Sequence, residues 1–518
     1  MDTMIISSIL LAPLAGALLI FLLPDRGKLS AWVALATALV TFLLTLHLPA
    51  HFIAGQPGFQ FEQTIPWLAN PAINYHVGVD GLSLWLVVLT GLLAPVGVLA
   101  SWNTIKERRN VFYALFLVQQ TAMVGVFVSL DLMLYYGFWE LSLVPMAILI
   151  AMYGRGLTEN GGPKAAIRFF LYTFIPSAPL LVGILWLYAK TGSFDFGTLQ
   201  GAIATGHLPA TPVWWISIAF LAAFAVKVPV FPLHGWLADV FSEAPVAMGM
   251  VVAGKLGLYS LIRFHVGLFP GQARHIALGL IPLAVIGILY GALLALIQKD
   301  FWKLLAFATL SSLSFCTLGI YGFTLAGLDG AVFQTINEGV IGAALFLLFG
   351  VLYDRFSTDK IALFGGLAGK APSLATLFVL TSLALVGLPL FNGFVGEFLV
   401  LSSTFSGVSQ GWATAATAGV ILSAGYMLFL IQRIFYGPQS ELVLAKPTPD
   451  LDGREAFTLW FLVLLMLLMG VAPNIWLSGI ETGIHQAAGV SATPPFDCTA
   501  PGHKCYVTAR MVLRGGQQ

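Results

Sequence analysis

The chain has 518 residues, 58% of them hydrophobic and only 9% charged, with a mean hydropathy of +0.90. Soluble domains carry about 25% charged residues, so this composition excludes them and points to an integral membrane protein. Twenty-four basic against twenty-three acidic residues leave a net charge of +1, which provides neither the basic footprint of a nucleic-acid binder nor a polyanionic tail.

Runs of about 20 apolar residues predict membrane spans near 4–23, 30–48, 81–101, 111–129, 131–152, 165–189, 213–240, 245–268, 275–297, 304–321, 326–353, 374–403, 412–436 and 455–479, fourteen in all. The start, Met1-Asp2-Thr3, has no basic region, and Arg26 and Lys28 follow the first apolar run. The first span therefore reads as a retained helix with its N-terminus outside, not as a cleaved signal. With that orientation sixteen of the 24 basic residues fall in inside loops. Lys190, Arg263, Arg274, Lys504, Arg510 and Arg514 fall outside, and Lys227 and Lys255 lie within spans. The long outer loop 49–79 contains no Lys or Arg. This asymmetry places both termini on the outer side.

Two long spans are interrupted by proline. The seventh holds Lys227-Val228-Pro229-Val230-Phe231-Pro232, and the twelfth holds Gly387-Leu388-Pro389-Leu390-Phe391-Asn392-Gly393. Pro229 frees the carbonyl of Ala225 from its helical partner, and Pro389 marks the equivalent interruption. Interrupted helices at corresponding places in two halves are the mark of inverted-repeat transporters. The expected organisation is an N-terminal three-helix segment (1–110), two inverted five-helix units (111–268 and 269–436), a last helix (437–480) and a polar outer tail (481–518). In the tail Cys498 and Cys505 are open to two readings, a local disulfide or two free thiols. His503 between them is too little for a metal site.

Five ionisable residues fall within spans as candidates: Glu140, Lys227, Lys255, Glu338 and Glu397. A charge at mid-membrane costs at least about 2.5–3.5 kcal/mol, so such residues face a wet cavity or one another. Glu140, flanked by aromatics near the middle of span 5, is a candidate partner for Lys227; a purely structural ion pair is the other reading. Lys255 lies about 15 Å into its span from Pro245, too deep to snorkel comfortably to the interface. Glu338 follows Gln334, Thr335 and Asn337, a polar stretch that implies either a water-lined interior or interhelical hydrogen bonding. Glu397 is expected toward the outer part of the second broken helix. No Walker loop, Rossmann fingerprint, iron–sulfur spacing or haem-type histidine pair is present in the sequence. Transport energy is therefore expected from a partner.

Three motifs carry a family resemblance: Lys227-Val228-Pro229-Val230-Phe231-Pro232-Leu233-His234-Gly235-Trp236-Leu237 through Glu243-Ala244-Pro245; Tyr75-His76-Val77-Gly78-Val79-Asp80-Gly81; and Gly387-Leu388-Pro389 through Gly396-Glu397-Phe398. Over residues 1–480 the chain resembles the antiporter-like membrane subunits of complex I, the proton-translocating NADH:quinone oxidoreductase. Glu397, where related subunits have lysine, makes it similar to the subunit M (chain 4) type. The resemblance implies an all-α, fourteen-helix fold with two inverted repeats and broken helices 7 and 12, and no cofactor or metal in this chain. It implies neighbouring antiporter-like and quinone-site subunits as partners, and protons moved across an energy-conserving membrane, the inner membrane in a bacterium. Glu140 and Lys227 would be the control pair, Lys255 the central relay and Glu397 the terminal group, with His234 as an accessory polar residue. The chain departs from the family in the middle. Ser312 stands in a histidine's place, Glu338 replaces a second histidine, and the Lys227–Lys255 interval is nearly one helical turn short. Glu338 with water is expected to bridge Lys255 and Glu397. Two other readings remain open: a subunit of a multi-subunit Na⁺/H⁺ antiporter, and a non-conducting scaffold.

Overall fold

A computed structural model describes residues 4–22, 28–157, 160–252, 255–446 and 448–487. Arg26, the Ala253-Gly254 flank of Lys255, and Cys498, His503 and Cys505 lie outside the described residues.

The chain opens with α1 (Ile5–Leu22) and α2 (Leu29–His51), followed by a hairpin, β1 (Gln60–Leu68) and β2 (Ile73–Val79). Next come α3 (Leu84–Ser101), α4 (Arg109–Val128), α5 (Leu132–Leu141), α6 (Leu143–Tyr153), α7 (Gly161–Thr191) and the short α8 (Phe196–Ala204). The first broken helix is α9 (Ala210–Lys227) and α10 (Leu237–Glu243). The following span is α11 (Val246–Val252) and α12 (Lys255–Ser260), closed by a π-helical stretch Leu261–Val266. The second half contains α13 (Pro270–Ile297), α14 (Phe301–Tyr321), α15 (Leu325–Phe356), the broken pair α16 (Pro372–Leu385) and α17 (Asn392–Gly407), α18 (Gln410–Phe435), α19 (Glu441–Ala445), α20 (Gly453–Val471) and α21 (Asn474–Ala487).

Among the described residues thirteen helices are long and apolar enough to cross a membrane, and the shorter α16 is apolar as well. Each lies on a predicted span, so the fourteen-span reading is compatible with them. The spans sort by burial. The α3, α4, α14 and α15 helices and the 246–266 segment are enclosed, whereas α2, α7 and α20 bury about a third of their length and present apolar faces outward. Helices apolar all round suit such a setting, because lipid meets the outer faces and protein the inner ones.

The long loop 49–79 contains an antiparallel hairpin turned by Ala69-Asn70-Pro71-Ala72, with His76 opposite Thr64 and Val79 opposite Gln60. Two expectations change. The last predicted span divides at Pro473 into α20 and α21, because proline cannot continue a helical ladder. Helix also continues to Ala487, past the expected start of the tail.

The hairpin is bound into the helices below it. Leu130 N–H donates to His76 O and Phe196 N–H to Leu130 O, each at 2.9 Å, and isolated bridges pair Val77 with Ser129 and Asp131 with Asp195. Asp131 caps α5 through the N–H groups of Met133 and Leu134, while its Oδ2 accepts from Asn74 N–H at 3.1 Å. Asp195 caps α8 through Thr198 N–H.

Candidate functional site

Both helix breaks close their backbone in the same way. At the first, proline removes the donor that Ala225 O would have used, and Val230 N–H takes its place at 2.8 Å, five residues on. That displaces Val226 O, which accepts from the indole N–H of the buried Trp236 at 3.0 Å. The carbonyl that the sequence leaves open is therefore occupied. At the second break Leu388 N–H reaches Leu383 O at 3.0 Å, again five residues apart, and Gly387 supplies the left-handed turn (φ 75°). Pro389 follows directly.

Lys227 is the last residue of α9 and is 6% exposed. Its Nζ stands 5.4 Å from the ring centre of Trp139 on α5 and 5.2 Å from that of Phe169 on α7. Such cation–π contacts are worth about 2 kcal/mol or more when desolvated. Glu140 acts on Lys227 through space rather than by contact, and its Oε1 is buried without a hydrogen-bond partner. It lies near the end of α5, just before Ser142, and so near the middle of the span that α5 and α6 form together from Leu132 to Tyr153, as expected. The aromatic partners Trp139 and Phe169 are ones that sequence reasoning missed; Trp139, next to Glu140, was the available signal. His234 lies in the break, stacked on Phe231 with ring centres 5.7 Å apart, its buried Nδ1 unpartnered.

Lys255 opens α12 and is 1% exposed. Its Nζ donates to Met250 O at 2.9 Å, the partner found among the described residues. An ammonium carries three donors, so capacity remains for transfer. The stem lies against α15, where a Cβ on Gly339 would come within 2.9 Å of Lys255 Cε. Glu338, the preceding residue, is 2% exposed and is the carboxylate acting on Lys255. Ser312 faces it from α14, and its Oε1 is buried without a partner.

Glu397 is 5% exposed on α17. The expectation placed it outward, but its carboxylate turns back to the break: a Cβ on Gly387 would lie 2.6 Å from Oε2. Helical side chains lean toward the N-terminus of their helix, which carries this one back to the start of α17. Asn337 Nδ2 donates to Asn392 O at 2.8 Å and Asn392 Nδ2 to Asn337 Oδ1 at 3.0 Å, fastening α15 to that break. Glu338 acts electrostatically on Glu397, and the buried Cys316 and Tyr426 feel both acids. Glu338 thus stands between Lys255 and Glu397 in the electrostatic order of the site.

A buried ion pair was overlooked. Arg263 Nη2 binds Asp80 Oδ1 at 2.5 Å, with both side chains almost wholly enclosed. The positive-inside count assigned Arg263 to the outer side, and the π-helical turn buries it there against the hairpin loop, among the rings of Phe59, Phe196 and Tyr259. At the opposite end of the bundle a cleft of about 710 Å³ is lined by Lys164, Arg168, Asp239, Asp300 and Lys360, and it reaches Tyr172. The Tyr172 hydroxyl covers Gly235 in the first break, 2.9 Å from where a Cβ would stand.

A fold of apolar spans with two matched breaks and enclosed charges defines a membrane ion-translocating class. The chain belongs to the NADH:quinone oxidoreductase/Mrp antiporter transmembrane family, whose model matches residues 129–424; residues 4–130 match the amino terminus of NADH-ubiquinone oxidoreductase chain 4. Among similar proteins, NADH-quinone oxidoreductase subunit M of Rhodobacter capsulatus is 38% identical over 91% of this chain and 94% of its own length. The subunit M of Rickettsia prowazekii (strain Madrid E) is 36% identical over 91% of this chain and 96% of its own. A chain of respiratory complex I from Thermus thermophilus with bound NADH superposes with a TM-score of 0.82 at 31% identity, covering 95% of this chain and 99% of that one. A chain of the Mrp complex from Dietzia sp. DQ12-45-1b has the same TM-score at 20% identity, covering 95% and 99%, and shares the fold.

Proposed function

We propose that this chain is a proton-translocating membrane subunit of a complex I-type NADH:quinone oxidoreductase, and that protons pass along Glu140, Lys227, Lys255, Glu338 and Glu397. The observation that carries this reading is the enclosure of Lys227, Lys255, Glu338 and Glu397 without a contacting counter-ion among the described residues. In a bilayer such groups hold or release protons, because a fixed charge there is expensive. Lys227 is steadied by aromatic faces and by the field of Glu140, so a change in Glu140 alters its hold on a proton. Lys255 and Glu338 are opposite in type and adjacent, which suits a donor and acceptor. Glu338 and Glu397 are like groups, so protonation of one eases ionisation of the other.

Quinone reduction in partner subunits supplies the energy, and this chain contributes no redox group. Neighbouring antiporter-like and quinone-site subunits complete the assembly in an energy-conserving membrane, the bacterial inner membrane, with both termini on the outer side; the distribution of basic residues supports that orientation. The test uses the assembled complex in inside-out vesicles, with proton uptake measured against NADH oxidation. Lys227→Ala and Glu338→Gln are expected to lower the ratio. An assembled Lys227→Ala complex with the full ratio would make the chain a scaffold, and an unchanged Glu338→Gln complex would remove Glu338 from the path.

A further inference from the structure

Between the charged cleft opposite the hairpin and Lys227 stands the ring of Phe169. Ala165 and Tyr172 both line the cleft of about 710 Å³. They lie four residues before and three after Phe169, and so on its face of α7. Phe169 itself is 2% exposed and stands behind that wall. Its ring centre is 5.2 Å from Lys227 Nζ and 5.4 Å from the ring centre of the buried Trp236. The seam between α7 and α10 therefore closes in two layers. On the cleft side Arg168 pairs with Asp239; behind this pair Phe169 meets Trp236, and Lys227 lies against Phe169.

The two rings of the inner layer differ in freedom. Trp236 is tied by its indole N–H to Val226 O at 3.0 Å. Phe169 has no polar group, so its ring is held by packing and by the ammonium in front of it. A ring face attracts a cation within about 6 Å of its centre and has no such attraction for a neutral amine. A proton on Lys227 thus favours the ring where it stands, and loss of that proton removes the preference. Other charges leave this coupling to the ring. Glu140 on α5 acts on Lys227 only through space, while Arg168 on α7 and Asp239 on α10 are paired with each other. Trp139, the second ring at the ammonium, belongs to α5, outside the cleft wall.

We infer that Phe169 is a valve between the cleft and Lys227, held shut by the charged ammonium and released when the lysine is neutral. The inference rests on the proton-translocating function proposed above. With Lys227 neutral the ring turns to another rotamer, and water from the cleft reaches Nζ. A hydronium there gives its proton to the amine and is left as water; no other bond changes. The ammonium then draws the ring back and cuts the cleft off, so the proton leaves toward Lys255 and not by the way it came. A ring that merely fills the seam would make the same contacts, so the test has to separate attraction from volume.

Phenylalanine analogues with one, two or three ring fluorines, placed at residue 169 by nonsense suppression, weaken the ring face in steps with little change in volume. Phe169→Leu keeps an apolar side chain and removes the face altogether. The whole complex is placed in inside-out vesicles, whose medium meets the cleft in the orientation proposed above, beside Lys227→Ala. The expected result is continued NADH oxidation with proton uptake per NADH falling at each added fluorine, and lowered by about half or more in Phe169→Leu. In a second arm Tyr172→Cys is treated with a membrane-impermeant trimethylammonium thiol reagent, with treated wild-type complex as the control; uptake is expected to fall on treatment of the variant alone. A constant ratio across the fluorine series overturns the inference, as does labelled Tyr172→Cys pumping as before, which would remove the cleft as the way in. If the fluorinated chains do not assemble, Phe169→Leu decides, and the wild-type ratio there overturns the inference. Failure of every residue-169 variant to assemble would make the ring structural and also overturn it. If Lys227→Ala pumps normally, the parent reading has failed; if Lys227→Ala stops pumping and the residue-169 variants do not, only the valve has.

Discussion

Glu397 and Gly387 meet at the second break: the Glu397 carboxylate occupies the space that a side chain at residue 387 would need. The glycine has two duties there, a left-handed backbone (φ 75°) and room for the acid. An alanine in that conformation costs about 1–2 kcal/mol, and its methyl would push Oε2 away. Gly387→Ala is expected to assemble but to pump fewer protons per NADH oxidised. Wild-type pumping in vesicles would show that the position of the carboxylate at the break is unimportant.

At the first break the corresponding contact is Trp236 with Val226. Removing the indole N–H leaves a buried carbonyl without a donor, a penalty of about 1–3 kcal/mol. Trp236→Phe should therefore lower the thermal midpoint of the purified protein, while a change at the half-exposed Phe231 should lower it less. An unchanged midpoint for Trp236→Phe would mean that another donor replaces the indole.

The hairpin should respond to pH through His76. Its Nε2 lies 2.7 Å from Glu62 Oε1 and its Nδ1 3.0 Å from Asp195 Oδ2, so the two contacts are both satisfied only by the imidazolium. Burial pulls its pKa down, but the hydrogen bonds and charges of Asp195 and Glu62 outweigh this and leave it above 6.5. A raised folded-state value means that the stabilisation is complete below the unfolded value of about 6.5 and is lost as pH rises through the folded one. Thermal stability of wild type should accordingly fall on the alkaline side of 6.5 more steeply than that of His76→Gln. Parallel curves for the two proteins would exclude this contribution.

Much of the bundle was legible because hydropathy over about 20 residues is a strong signal, and proline marks an interruption whatever surrounds it. Lys227, Lys255, Glu338 and Glu397 were visible for the same reason: ionisable groups stand out in apolar runs. What sequence did not disclose depends on contact between distant segments. Trp236 folds back ten residues to cap Val226, Arg263 finds Asp80 across 183 positions, and His265 joins three helices. Arg263 and His265 were passed over because they lie near a span end, where charges ordinarily reach solvent. The hairpin had a local signal, Asn-Pro between alternating segments, that was overshadowed by the search for spans.

The backbone stitching around Asp131 has a mechanical consequence. The first turn of α5 is held by the hairpin on one side and by the start of α8 on the other, and the helix runs on through the buried Ser142 into α6. Glu140 is thus carried on a span tethered at its hairpin end, so that a displacement of the hairpin would be passed along α5 toward the carboxylate that acts on Lys227.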